Sequence, residues 1–458
     1  MSETAQTCIC EAKLTEDECN LLKGNYLDDN SYDVLITEDT DAFRPDGSIL
    51  FKFRKKIFDE DESELAFLAF KNLARPSRGR GASAGPIDPE SVYWKKREIV
   101  KIQKGGWSTT YLTKGKESKM KVQNEVASNA MGYWSETKGL GKTLPCRLTH
   151  FSRAEFLKYE DGKSVVQKIS NSYKVLHPDW YEKQMNQAKM NDRMRIGDTP
   201  FSTVTVNRNF RTAVHQDAGD FGFGNLSVFE YGKYHGGYFV FPKYRIAIDM
   251  RQGAHLCADV HEFHGNTEFY ETDEDKIYND TLPDIFHDNL EIGILGLNNR
   301  FSRISLVCYL RDKLKECSMP TDESLLIRDL PAPTKLTVLF VNKKENSQQR
   351  QKFFNTNWSR CSTHQEALHR IIKHSLQNVI VIDDTCELNR RLGNAKQFTE
   401  TDGVTYLNVD SEKNKGIYPY DGKSLKLAYY IPNFIIASQL LNDNREIKSY
   451  FISPKIFT

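Results

Sequence analysis

From Phe201 to Arg311, apolar positions alternate with polar ones or gather into short runs rich in Val, Ile, Tyr and Phe. Gly, Pro, Asn or Asp breaks these runs every few residues. That pattern predicts closely spaced strands: Phe201 to Arg211, Leu226 to Glu230, Gly237 to Phe241, Arg245 to Met250, His255 to Val260 and Phe301 to Arg311. Upstream the spacing turns helical. Helices are predicted over Cys19 to Leu22, behind a capping box of Thr15 and Glu18, and over Glu60 to Leu73, Asn124 to Trp134 and Asp179 to Arg195. Val34 to Thr37 and Ile49 to Phe53 read as a hairpin around Pro45-Asp46-Gly47. Beyond a Pro-containing linker after Cys317, LTVLFVN (336–342) and NVIVID (378–383) read as buried strands. They alternate with predicted helices over Ser347 to Trp358 and His364 to Leu376, the α/β pattern of a parallel sheet. The expected organisation is an N-terminal extension (1–95), a strand-rich domain (96–320) and a small α/β domain (333–458).

Composition narrows the function classes. The 458 residues carry 63 Lys and Arg against 62 Asp and Glu, so a basic footprint for nucleic acid must be local. Two stretches qualify. Arg75, Arg78 and Arg80 punctuate the Gly/Ser/Pro-rich segment Ala74 to Pro89. Trp94-Lys-Lys-Arg97 through Lys104 continues the bias, with Tyr93 and Trp94 as candidate stacking residues. Each is either a phosphate contact or a solvated charge run. No run of ~18 apolar residues is present, so no membrane helix is expected, and the N-terminus does not read as a signal peptide. Nine scattered cysteines imply an intracellular, reducing compartment such as nucleus or cytoplasm. Cys8, Cys10 and Cys19 read as free thiols before half a metal site.

Candidate chemistry concentrates in the strand-rich part. His215-x-Asp217 places an imidazole and a carboxylate two residues apart, on one side of an extended chain. A distal histidine from another strand would complete a facial set for Fe(II), with open positions for oxygen and a co-substrate. His264, in His-Gly-Asn, fits that role and His261 is its rival; His235 and His255 are decoys. Arg303 opens a core strand and suits bidentate pairing with a carboxylate. Thr205 and Asn207 share a polar strand face that points to a cavity beside the metal. Asp220 either orients a base edge or caps a turn. Phe221 and Phe223 flank a Gly-rich loop that either stacks on a flipped base or simply turns.

Four passages, VTVNRNFRTAVHQDAGD, GGYFVFPKYRIAIDMRQG, DVHEFHGNT and SRISLVCYLR, together resemble the TET/JBP family. These are Fe(II)- and 2-oxoglutarate-dependent dioxygenases that oxidise the 5-methyl group of thymine or 5-methylcytosine in nucleic acid. The likeness is strongest to the JBP-like branch and covers roughly Leu144 to Cys317. It implies an α+β protein with a double-stranded β-helix, or jelly-roll, core braced by helices. It implies iron ligands His215, Asp217 and His264 and 2-oxoglutarate at Arg303, with Thr205 and Asn207 beside it. It also implies a flipped pyrimidine of DNA near Asp220, Phe221 and Phe223. A monomer is expected. Two alternatives stay open: ascorbate as co-substrate, as in an algal branch of the superfamily, or a non-catalytic nucleic-acid scaffold. The C-terminal segment faintly resembles lipopolysaccharide-type glycosyltransferases, with Asp383 and Asp384 at the metal position; a degenerate or interaction module is the preferred reading there.

Overall fold

The computed structural model describes residues 5–282 and 299–317, apart from 72, 114, 118–120, 140, 141 and 155. Further on it describes short strands between 337 and 431 and the single positions 367 and 371. The chain divides into two units, one of residues 1–149, 162–282 and 286–326, the other of 150–161, 283–285 and 327–458.

The first unit mixes sheets and helices. Six neighbouring strands make the middle of its large sheet, in the spatial order Ile49–Arg54, His255–Ala258, Asp220–Tyr231, Ser302–Arg311, Thr203–Arg208 and Val126–Trp134. Every pair in that run is antiparallel. A four-stranded sheet holds Gly265–Asn266, Phe239–Phe241, Ile246–Ile248 and Val34–Ile36. Strand alternation explains how the two sheets share a core. Phe239, Phe241, Ile246 and Ile248 of the small sheet pack with Phe51, Phe53, Leu226, Val228 and Leu256 of the large one. Val240 and Ala247, one position out of phase, turn away and meet Cys19, Leu27 and Phe263. Phe51 stacks on Phe241 at 5.8 Å, and burying each such side chain contributes about 1.5–3 kcal/mol.

Helices cover the other face of the large sheet. Glu60–Phe70 starts on a capping box of Asp59 and Glu62 and sets Phe67 edge-on to Tyr231 at 4.7 Å. Pro178–Lys189 has proline in its first turn, where the missing N–H costs nothing. Tyr173, on the helix before it, stacks on Phe201 and donates to Gln184. A disulfide joins Cys146 to Cys317.

Several expectations change. Val126–Trp134 is a strand, not a helix, because it pairs with Thr203–Arg208 and is buried on both faces, which erases the period that separates the two structures. The hairpin is Thr40–Phe43 with Ile49–Arg54. Val34–Ile36 instead runs parallel to Ile246–Ile248 in the small sheet. Residues 1–95, expected as an extension, therefore supply strands to both sheets. Tyr93 and Trp94 are 4% and 1% exposed and unavailable for stacking on a nucleotide. The Trp94 indole donates to Asn124 Oδ1 at 2.7 Å.

In the second unit, Thr337–Val341 lies between Asn357–Cys361 and Val379–Asp383 and runs parallel to both. Val379–Asp383 pairs antiparallel with Ala428–Ile431 on its other side. The two predicted strands are thus present. The end of the predicted 347–358 helix is strand, while Ala367 and Ile371 are helical and buried. Asp383 closes its strand; Asp384 and the rest of the predicted helices lie outside the described residues.

Candidate metal centre and its cavity

The Thr203–Arg208 strand stops at Asn209, whose φ is 43°. Asn visits this left-handed conformation more readily than most residues, and its amide is held across the sheet: Asn209 Oδ1 accepts the Arg303 N–H at 2.6 Å and Nδ2 donates to Phe301 O at 3.0 Å. The chain then leaves the sheet. His215 and Asp217 therefore sit on an extended segment beyond the end of the strand. Backbone bonds tie that segment to the one before the small sheet: His215 N to His264 O at 2.9 Å, His264 N to His215 O at 3.0 Å and Asp217 N to Val260 O at 3.0 Å. The glycine of His-Gly-Asn makes this approach possible, since a Cβ on Gly265 would lie 3.1 Å from Thr212 O. Asn266 secures it by accepting from the Thr212 hydroxyl at 2.6 Å.

The three predicted ligands converge. One donor atom from each of His215, Asp217 and His264 lies within 4.8 Å of the others. His215 Nε2 is 3.7 Å from Asp217 Oδ1, and His264 Nε2 is 3.8 Å from Asp217 Oδ2. Both imidazoles hold the same tautomer for the same reason. His215 Nδ1–H donates to Ala213 O at 2.8 Å and His264 Nδ1–H to Glu262 O at 2.9 Å, each to the carbonyl two residues back. Each Nε2 lone pair is left facing the carboxylate, the arrangement a metal-ligating histidine needs. Burial, then the neighbouring His215, pushes the His264 imidazole down to about 4, so its neutral form prevails at neutral pH. Phe239 stacks on His264 at 5.2 Å and fixes its plane. Two neutral nitrogens and a carboxylate on one side of a centre fit a divalent iron.

His261 is not part of this group. Its Nδ1 bonds Asp259 Oδ1 at 3.2 Å and its Nε2 donates to Asp220 O at 3.1 Å. His235 pairs with Asp275. His255 is buried between Ser172 and Asn225. Cys19 belongs to an apolar cluster.

The three ligands open on a cavity of about 540 Å³. Leu226, Val228, Phe239, Met250, Val260 and Val307 form its apolar wall. The Ser302–Arg311 strand contributes every second residue, Arg303, Ser305, Val307, Tyr309 and Arg311. Opposite Val307 and Ser305 on the adjoining strand stand Thr205 and Asn207, which also line it, as expected. Thr205 Oγ1 reaches Tyr309 OH at 3.4 Å. Arg303 is 4% exposed, its guanidinium lies 5.2 Å from the Phe269 ring, and its Nε has no hydrogen-bond partner. Among the described residues it forms no ion pair. A buried guanidinium with an unused donor fits the far carboxylate of a dicarboxylic acid.

Asp220 lines the cavity too, and burial together with the Asp217 charge pushes its carboxyl up to about 8. Phe221 and Phe223, expected beside the base, are turned the other way. Both pack on Trp180, at 6.2 and 5.7 Å, and Phe223 also on His177, because this end of the strand faces the Pro178–Lys189 helix. Arg80 of the predicted basic loop reaches the cavity, where burial lowers its pKa against the opposing pull of Tyr309 and Asp217. Arg78 pairs instead with Glu125 at 3.7 Å. Ser305, Tyr309, Arg311 and Trp107 were missed. For the first three the signal was present, since they share a strand face with Arg303. Trp107 carries none beyond the flexible pair Gly105-Gly106 before it.

Residues 130–312 match a family model described as the Tet_JBP oxygenase domain of the 2OGFeDO superfamily, a superfamily that implies Fe(II) and 2-oxoglutarate. The chain is similar to thymine dioxygenase JBP1-A of Trypanosoma cruzi, 32% identical over 191 residues, which are 41% of this chain and 20% of that one. It is 33% identical over 168 residues to thymine dioxygenase JBP1 of Trypanosoma brucei brucei, covering 36% and 19%. It is 32% identical over 171 residues to the bifunctional helicase and thymine dioxygenase JBP2 of Leishmania braziliensis, covering 37% and 13%. The chain thus spans about a fifth or less of the length of these relatives. The solved structure of NgTET1 in complex with 5mC DNA has a TM-score of 0.39 at 11% identity, over 69% of this chain and 85% of that one, too slight a likeness to argue from. Through residues 130–312, the chain is similar to the TET/JBP family of oxygenases.

Proposed function

We propose that the protein oxidises the 5-methyl group of a pyrimidine in DNA, using Fe(II) and 2-oxoglutarate, on a jelly-roll core. The observation that carries this reading is the pairing of His215, Asp217 and His264 round one point with a buried, unpaired Arg303 in the same cavity. Iron on those three side chains, with 2-oxoglutarate and oxygen, would supply the oxidant that turns a methyl C–H into a hydroxymethyl group while the oxo acid becomes succinate and carbon dioxide.

The chain's own residues do the rest. Arg303 holds the far carboxylate of 2-oxoglutarate by charge-assisted hydrogen bonds. Thr205 and Asn207 stand on the neighbouring strand beside it. The apolar wall from Leu226 to Val307 excludes water and receives a methyl group. The base must leave the helix to reach that wall. Asp220 meets its edge: with its proton retained, the carboxyl offers one donor and one acceptor. That pair suits the N3–H and O4 of thymine and equally the N3 and amino group of cytosine, so Asp220 does not choose between them. The relatives named thymine dioxygenases favour thymine. The unpaired Arg303 favours 2-oxoglutarate over ascorbate as co-substrate.

The test is to incubate the protein with Fe(II), 2-oxoglutarate and DNA with and without 5-methylcytosine, then analyse nucleosides by mass spectrometry. Co-substrate-dependent 5-hydroxymethyluracil is expected. 5-Hydroxymethylcytosine alone would reassign the base, and neither product would refute the reading.

A further inference from the structure

The charge of this chain is balanced overall but not locally. Residues 95–121 hold nine Lys or Arg against two acids, Glu98 and Glu117, in a chain with 63 basic and 62 acidic residues. The remainder is therefore net acidic. This stretch folds as a small antiparallel sheet of its own, Ile99–Ile102, Thr109–Thr113 and Lys116–Glu117. Lys96, Lys101, Lys104, Lys116 and Lys121 are exposed, and none forms an ion pair among the described residues.

The sheet is fixed to the cavity. Ile87 N donates to Gly106 O at 2.8 Å. Asn124, which accepts from Trp94, donates to Ala84 O at 3.0 Å and Pro86 O at 2.8 Å. Those carbonyls follow directly on the Gly79 to Ser83 loop that lines the cavity. At the turn between the first two strands, Trp107 reaches the same cavity. Its ring is held where only glycines fit: a Cβ on Gly24 or on Gly105 would come within 2.4 Å of it, and both glycines have positive φ, 82° and 97°.

We propose that this basic sheet is the docking surface for duplex DNA, with Trp107 as the aromatic against which the nucleotide stacks at the cavity mouth. The proposal rests on the oxidation site read above. Exposed lysines with no ion-pair partner among the described residues neutralise phosphates and release counterions. An indole edge at the mouth gives a sequence-tolerant platform for a base leaving the helix. Continuity of the patch with the reaction cavity selects DNA over another polyanion.

The experiment uses the full chain, a fluorescent thymine-containing duplex and anisotropy measured across roughly 50 to 200 mM salt. Lys101→Glu, Lys104→Glu and Lys116→Glu combined should weaken binding at least tenfold, and the slope of log Kd on log salt should shrink by about 0.9 per lost phosphate contact. Trp107→Ala should leave that slope alone and raise the KM for duplex about tenfold or more, with Trp107→Phe restoring it. The anaerobic 2-oxoglutarate absorption band of every variant should match the parent's. A triple variant that binds with the parental Kd and slope while the parent oxidises DNA would overturn the docking surface alone. A parent that binds through these lysines and oxidises no base would uphold the surface and remove the reaction. A parent with no affinity for duplex would overturn both.

Discussion

His215 and His264 face each other across a two-bond antiparallel bridge, each accepting the other's backbone N–H, with ring centroids 4.3 Å apart. The backbone thus brings the imidazoles together before any metal arrives. Their Nδ1 atoms are bound to carbonyls on their own segments, so neither ring can turn its Nε2 away without losing a hydrogen bond.

A preformed site should separate ligand loss from unfolding. His215→Ala, Asp217→Ala and His264→Ala are each expected to abolish the anaerobic Fe(II)–2-oxoglutarate absorption band and turnover. The bridge is made by backbone atoms and survives the first two substitutions, so their melting temperatures should stay within a few degrees of the parent's. Chelation should abolish the parent's activity and Fe(II) should restore it. Undiminished product from the Asp217 variant would remove this centre from the reaction.

Arg303 presents a different signature. Hydrogen bonds to a charged partner contribute about 1.5–3 kcal/mol, so Arg303→Ala should raise the KM for 2-oxoglutarate roughly ten- to a hundredfold and leave Fe(II) affinity unchanged. Arg303→Lys should recover little, because an ammonium cannot reproduce the planar fork. Steady-state kinetics with 2-oxoglutarate varied checks this, and an unaltered KM would place the co-substrate elsewhere.

The parts legible in the sequence were those decided by residue identity and local period. The convergence of His215, Asp217 and His264 on one cavity with Arg303 could be read because a metal and carboxylate site calls for those residue types in strand-like contexts. Phe239, Phe241, Ile246 and Ile248 could be read because a strand with one face on a core alternates. What failed depended on neighbours far along the chain. Val126–Trp134 lost its period when both faces were buried. Phe221 and Phe223 look like free aromatics until the 178–189 helix covers them. Trp94 looks available until Asn124, thirty residues on, takes its indole N–H. The predicted strand ran on to Arg211, past its end at Arg208, because nothing local announces that Asn209 turns out of the sheet.

That turn yields a prediction of its own. Asn209 supports Arg303 from behind: its amide accepts the Arg303 N–H and donates to Phe301 O, both buried. Asn209→Ala leaves two buried backbone groups unpaired, at about 1–3 kcal/mol each, and puts a residue ill-suited to φ 43° in its place. Thermal or denaturant unfolding should register a loss of a few kcal/mol, and the KM for 2-oxoglutarate should rise with it. Asn209→Gly should recover the backbone share of the loss and not the KM.

His255 permits a pH test at a histidine outside the His215, Asp217 and His264 group. The ring is buried: Nδ1 accepts from the Ser172 hydroxyl at 2.7 Å and Nε2–H donates to Asn225 Oδ1 at 3.1 Å. Burial, helped by the Arg54 charge on the paired strand, lowers its pKa from 6.5 to about 3. The folded protein therefore binds fewer protons here than the unfolded chain between those values, and stability must fall as pH drops. The contribution is fully present above pH 6.5 and is lost progressively towards pH 3. His255→Gln keeps a hydrogen-bonding side chain and removes the titration. The variant should be less stable than the parent at pH 7, and the gap should narrow steadily between pH 6.5 and pH 4 in chemical denaturation. A gap that stays constant with pH would mean the buried imidazole is not held neutral.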